Sequence, residues 1–187
     1  MRVQNFLLSL SHRPIVLLFT LILVAEVAHA APPKSGDMSK FTENNPPIES
    51  PSTPFIDSNG KEVTLHEFKN NWILINFWAT WCAPCISELP SLAKLKSKIN
   101  NPNFTLLLIS IDRSGPKVFQ PFLKRLGLES LKSGSDPKAS LMRKLGLTGI
   151  PTTLLISPTG KVVGKLEGTA EWDTPSAVEL VNFYLQN

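Results

Sequence analysis

Cysteine is scarce: the 187 residues contain only two, three positions apart. That rules out the dense framework of a small disulfide-stapled protein. It also rules out shuffling between thiols within the chain. Histidine is nearly as scarce. Of three, His12 and His29 stand in the first thirty residues, which leaves His66. A zinc site needs four ligands, and there is no second CxxC to complete one. Charge is low as well, at 18% of residues, against about 25% in ordinary soluble domains. Part of the deficit lies in residues 1–30, whose only charges are Arg2, Arg13 and Glu26. Removing that segment takes away two positive charges and one negative, so the formal charge falls from +4 to +3. The lysines are spread out, with no basic block to mark a nucleic-acid partner. No internal repeat is visible.

Residues 1–30 have the pattern of an export signal. Two arginines precede an apolar run from Ile15 to Ala25, and Ala28-His29-Ala30 fits a small-x-small cleavage site. The run is about half of the ~20 residues needed to span a bilayer. The segment is expected to be a cleaved signal or an uncleaved anchor, and both place the rest of the chain outside the cytoplasm. Residues 31–53 are rich in Pro, Ser, Asn and charge. They are expected to form a flexible leader, since so polar a stretch offsets little of its ordering cost. The folded domain is expected to start at Pro54 and run to residue 187.

From there the periodicity changes. Phe55-Ile56 and Glu62 to Leu65 flank an Asp57-Ser58-Asn59-Gly60 turn, which predicts an N-terminal β-hairpin. Leu65 to Lys69 reads as a helical turn. Trp72 to Trp78 is almost continuously apolar, as in a strand buried on both faces. Leu89, Leu92, Leu95 and Ile99 have helical spacing. A second buried strand is expected over Phe104 to Ile111, and helices over Val118 to Leu126 and Leu141 to Leu145. Thr152 to Ile156 and Val162 to Leu166 flank a Pro158-Thr159-Gly160 turn and predict an antiparallel hairpin. A closing helix is predicted from Pro175 to Gln186, capped by Thr174. This order implies an α/β fold: a mixed central sheet with helices on both faces.

The strongest chemical signal is Cys82-Ala83-Pro84-Cys85, directly after the buried strand. A strand that turns into a helix there sets Cys82 at the helix start, where free N–H groups and the macrodipole favour a thiolate. Such cysteines fall from a pKa of about 8.5 to between ~3.5 and ~7.5. Two intervening residues bring the second sulfur within disulfide reach. Cys82 is then the attacking cysteine and Cys85 the resolving one. A purely structural bridge is the plainer alternative, although so short a loop constrains the unfolded chain little.

The motifs together resemble the TlpA/ResA-like family of thioredoxin-like proteins. Those that match are Asp57 to Gly60, Leu65 to Phe68, Asn76-Phe77-Trp78-Ala79-Thr80-Trp81-Cys82, Glu88-Leu89-Pro90, Gly149-Ile150-Pro151-Thr152-Thr153, Pro158 to Lys161, and Gly168. The resemblance covers roughly residues 54–187. It implies a thioredoxin-like fold and extracytoplasmic action on protein disulfides, mostly as a reductase. It implies a cis bond at Pro151, leaving the Ile150 backbone to pair with a substrate strand. Glu88 matches the family's active-site acid and Trp81 the aromatic that shields the first sulfur. Asn76 stands where ordinary thioredoxin carries a buried aspartate, so proton transfer falls to Glu88. Pro90 is expected to kink the first long helix, and Trp172 to serve packing. Ala83 departs from members with an acidic residue there, so neither substrate preference nor potential is copied from them.

The expected partners are a protein disulfide, either in apocytochrome c or at the copper-site cysteines of an oxidase under assembly, and a membrane thiol–disulfide carrier as electron donor. No cofactor, metal or nucleic acid is expected, and membrane contact only through an uncleaved N-terminus. Two other functions compete: a copper chaperone using both thiols, with His66 a poor third ligand, and a peroxiredoxin-like peroxidase suggested by Thr80 and Cys82.

Overall fold

The computed structural model describes residues 31–186. The expected signal or anchor, residues 1–30, lies outside the described residues. Among those described, no helix is long and apolar enough to cross a membrane.

Among the described residues eight strands form one sheet. They are β1 (Thr42–Glu49), β2 (Phe55–Asp57), β3 (Glu62–Val63), β4 (Trp72–Trp78), β5 (Phe104–Ser110), β6 (Lys132–Ser135), β7 (Thr152–Ile156) and β8 (Lys161–Glu167). The helices are α1 (Ala83–Lys98), α2 (Pro116–Arg125), α3 (Ser140–Lys144) and α4 (Pro175–Gln186). Short 3-10 turns cover Gly36–Lys40 and Leu65–Phe68.

The strand order is β1-β8-β7-β4-β5-β6-β2-β3. β4 and β5 run parallel, as do β5 and β6, whereas β4–β7, β7–β8 and β2–β3 are antiparallel. Both hairpins expected from the turn residues therefore form. β4 lies at the centre, and its side chains alternate between two cores. Leu74 and Trp78 join Leu89, Leu92, Phe119 and Leu180 from α1, α2 and α4. Ile73, Ile75 and Phe77 join Leu141 and Met142 of α3, with Leu65. Thr174 caps α4 as its sequence suggests, its hydroxyl accepting from the Ala177 N–H at 3.3 Å.

The flexible leader expected over residues 31–53 is corrected. Gly36–Lys40 forms a turn that buries Met38, Phe41 is buried beside it, and β1 pairs antiparallel with β8. Tyr184 of α4 donates to Glu43 of β1 at 2.9 Å. β1 is an edge strand held by backbone pairing, so it needs few apolar side chains. Its Pro46 and Pro47 fall where the register shifts between Glu43 and Ile48, the interruption at which an edge strand tolerates proline. β6 escapes the sequence pattern for a related reason: Lys-Ser-Gly-Ser has no apolar residue, and it joins the sheet through the β5 backbone.

Candidate active site

β4 delivers the chain to the site. Its run of buried side chains ends at Trp78, and α1 starts four residues after Ala79. Cys82 is the cap residue of α1, with extended backbone, and its sulfur accepts from the Cys85 N–H at 3.3 Å. Pro84 lies in the first helical turn, where its missing N–H costs no hydrogen bond. The two sulfurs form a disulfide. Cys85 is 0% exposed and Cys82 6%, so an incoming sulfur reaches Cys82 first. The Cys82 sulfur thus sits at the start of α1 with the Cys85 N–H directed at it, a setting that in general favours a thiolate over a thiol.

Glu88 is one turn further along α1 and 2% exposed. Asn76 of β4 donates through Nδ2 to Glu88 Oε1 at 2.6 Å and to Thr153 Oγ1 of β7 at 3.0 Å. The Ala170 N–H donates to Glu88 Oε2 at 3.1 Å. Burial pushes the Glu88 carboxyl up to about 7, and the donors from Ala170 and Asn76 offset only part of that rise. The Trp172 indole N–H lies near the same carboxylate but outside hydrogen-bond geometry, and its pull is smaller still. Asn76 Oδ1 is buried without a partner. The site thus holds a carboxyl group that exchanges its proton near neutrality, on the helix that carries both cysteines.

The Ile150–Pro151 bond is cis. The Ile150 carbonyl oxygen lies 4.0 Å from Cys82 Sγ, which is a contact, since a disulfide sulfur carries no proton to donate. The Ile150 carbonyl, next to the cis bond, therefore lies beside Cys82. Trp81 is 67% exposed and so stands at the surface beside Cys82 rather than in the core. Trp172 is buried, and its backbone N–H donates to Ser91 Oγ at 3.1 Å, in line with packing. Pro90 lies inside α1.

Several supporting residues have no local sequence signal. Thr153 meets Asn76 through the β4–β7 register. Buried Asp112 braces the loop before Cys82, accepting from the Thr80 N–H at 3.0 Å, Thr80 Oγ1 at 2.7 Å and Ser110 Oγ at 2.7 Å. The Thr80 hydroxyl is thus directed at Asp112, which weakens the peroxidase comparison. For the copper reading, the described residues contain no group of three or more His, Cys, Asp or Glu side chains able to hold a metal ion. His66 Nε2 is 3.2 Å from the Ser50 carbonyl oxygen.

The profile of the Redoxin family matches residues 34–181. The chain belongs to the Redoxin family. Over 120 residues it is 29% identical to the thiol–disulfide oxidoreductase ResA of Bacillus thuringiensis subsp. konkukian, covering 64% of this chain and 68% of that one. Over 121 residues it is 30% identical to ResA of Bacillus subtilis, covering 65% and 66%. The thioredoxin domain of a thiol–disulfide oxidoreductase from Bacteroides vulgatus superimposes with a TM-score of 0.60 at 23% identity, covering 72% of this chain and 93% of that chain. This last likeness concerns the fold, which is thioredoxin-like. The family, these relatives and the paired cysteines make the chain a thiol–disulfide oxidoreductase.

Proposed function

We propose that the protein acts outside the cytoplasm as a reductant of disulfides in specific partner proteins. The observation that carries this reading is the Cys82–Cys85 pair at the start of α1, with the buried Glu88 carboxyl one turn along the same helix. In the reduced protein the Cys82 thiolate attacks one sulfur of the client disulfide. A mixed disulfide forms and the first client thiolate leaves. Glu88 takes the proton from Cys85, whose sulfur then attacks Cys82 and expels the second client thiolate. The client gains two electrons, and the protein is left with the Cys82–Cys85 disulfide. A membrane thiol–disulfide carrier restores the dithiol. Trp81, Ile150 and Pro151 line the approach to Cys82 and hold the client strand. Export is supported by the pattern of residues 1–30, and the client classes are apocytochrome c and the copper-site cysteines of an oxidase.

Two measurements test this. A Cys85→Ala protein should accumulate a mixed disulfide through Cys82 with its client, and failure to trap any partner from the extracytoplasmic fraction counts against the reading. Equilibration with glutathione should give a potential near the thioredoxin end, about −270 mV, rather than the oxidising end, about −120 mV. A value near the latter reverses the direction of electron flow.

A further inference from the structure

A groove of about 1060 Å³ opens beside the redox pair, lined in part by Thr80 and Trp81 immediately before Cys82. Three cations face it: Arg113 from the β5–α2 loop, Lys138 before α3, and Arg143 in α3. All three are exposed, and none forms an ion pair with another described residue. Arg143 is held in place by donation to the Lys138 carbonyl oxygen at 2.7 Å. That leaves further guanidinium N–H groups for a carboxylate, which they match in a planar fork. Among the described residues the groove's only acid is Asp112, which is buried with both oxygens engaged by Thr80 and Ser110. Trp81 and Val118, 67% and 40% exposed, add an apolar rim, and an exposed tryptophan is a common anchor of protein interfaces.

We infer that the groove between Trp81, Arg113, Lys138 and Arg143 docks an acidic segment of the client protein next to the disulfide that Cys82 attacks. The inference rests on the disulfide-reductase reading and adds to it the charge of the partner. Thr80 and Trp81 directly precede Cys82, so a chain whose disulfide meets Cys82 has its flanking residues within reach of the groove. There the unpaired cations attract carboxylates and repel lysines. The concavity and the fixed Arg143 suit a protein segment better than the flat surface of an anionic bilayer.

The test uses the reduced protein and two synthetic peptides, each closed by a Cys-x-x-Cys disulfide. Glutamates flank the disulfide in one and lysines in the other. The acidic peptide should react about tenfold faster or more at low ionic strength, as electrostatic steering into a cleft predicts. The advantage should shrink in ~1 M salt, where the screening length is about 3 Å. It should also disappear in R113Q/K138Q/R143Q, while the rate with uncharged hydroxyethyl disulfide stays at the wild-type value. Equal peptide rates in the wild-type protein, or a preference that survives in the triple variant, overturn the inference. So does binding of phosphatidylglycerol vesicles through the same three residues without any peptide preference, which makes the groove a membrane contact. If wild-type protein fails to reduce hydroxyethyl disulfide at all, the reductase reading itself fails and the groove's role goes with it.

Discussion

Glu88→Gln separates a buried titrating carboxyl from a merely polar one. The Glu88 carboxyl has an ordinary value of 4.5 and is pushed up to about 7 by burial. Between those values the folded protein binds a proton that the unfolded chain has released, so stability falls as pH rises through the window and stays low above it. The cost at pH 8 relative to pH 4 is about 3 kcal/mol, at 1.36 kcal/mol per tenfold change in proton affinity. Glutamine removes that titration. It also brings a donor where the carboxylate offered only acceptors to Asn76 and Ala170. Rotation of the Asn76 amide accommodates the change, because Oδ1 is buried without a partner and can accept from the new amide. The neutral carboxyl of the wild type at pH 4 already carries one donor, so glutamine differs from it there by one further N–H left without an acceptor, about 1 kcal/mol. The variant should therefore be less stable than wild type by about 1 kcal/mol at pH 4 and more stable by about 2 kcal/mol at pH 8. Urea unfolding of both oxidised proteins across this range reads the difference directly, and other titrating groups cancel in it. A stability difference that does not change with pH would refute the argument, because it would mean that Glu88 does not titrate in the folded protein.

Iodoacetamide should modify Cys82 before Cys85 in the reduced protein at neutral pH, since Cys82 is the partly accessible sulfur at the helix start; peptide mapping with Cys85 labelled first contradicts this. In disulfide exchange, Glu88→Gln should flatten the pH profile and slow turnover on the order of a hundredfold, as loss of a general acid–base does; stopped-flow exchange with a protein disulfide at several pH values checks it. Met38→Ala should cost about 2–5 kcal/mol, the usual range for truncating a fully buried side chain, and an unchanged urea midpoint would return residues 31–53 to the role of a loose leader. Gly164→Ala should also destabilise, by about 1–3 kcal/mol of overpacking. An added Cβ there falls 2.8 Å from the Thr42 carbonyl oxygen and into the Phe41 ring.

The parts of this molecule that can be read from its sequence are those whose burial writes itself into adjacent residues. Trp72–Trp78, Thr152–Ile156 and Pro175–Gln186 have the bounds their sequence implies, because a strand covered on both faces, or a helix with one, must be apolar in a fixed rhythm. β1 and β6 carry no such rhythm. Each is held by its backbone against a neighbouring strand, and neither Thr42–Glu49 nor Lys132–Ser135 buries enough side chain to reveal it. The traces they leave are elsewhere: Gly164 lets Phe41 and β1 approach β8, and Gly134 leaves room for the Phe55 ring. The active site divides in the same way. Cys85 and Glu88 lie on α1 and Cys82 caps it, so their spacing is visible in the sequence. The groups that decide whether Glu88 is charged come from other elements: Asn76 lies 12 residues earlier on β4, and the Ala170 N–H 82 residues later, after β8. The identity of an amide donor such as Ala170 is invisible to any sequence motif, because every non-proline residue offers the same N–H. The redox pair is therefore local information, while the proton chemistry beside it is a property of topology: β4 must lie between β5 and β7, and the chain after β8 must return across α1, before the carboxyl has the surroundings that raise it towards neutrality.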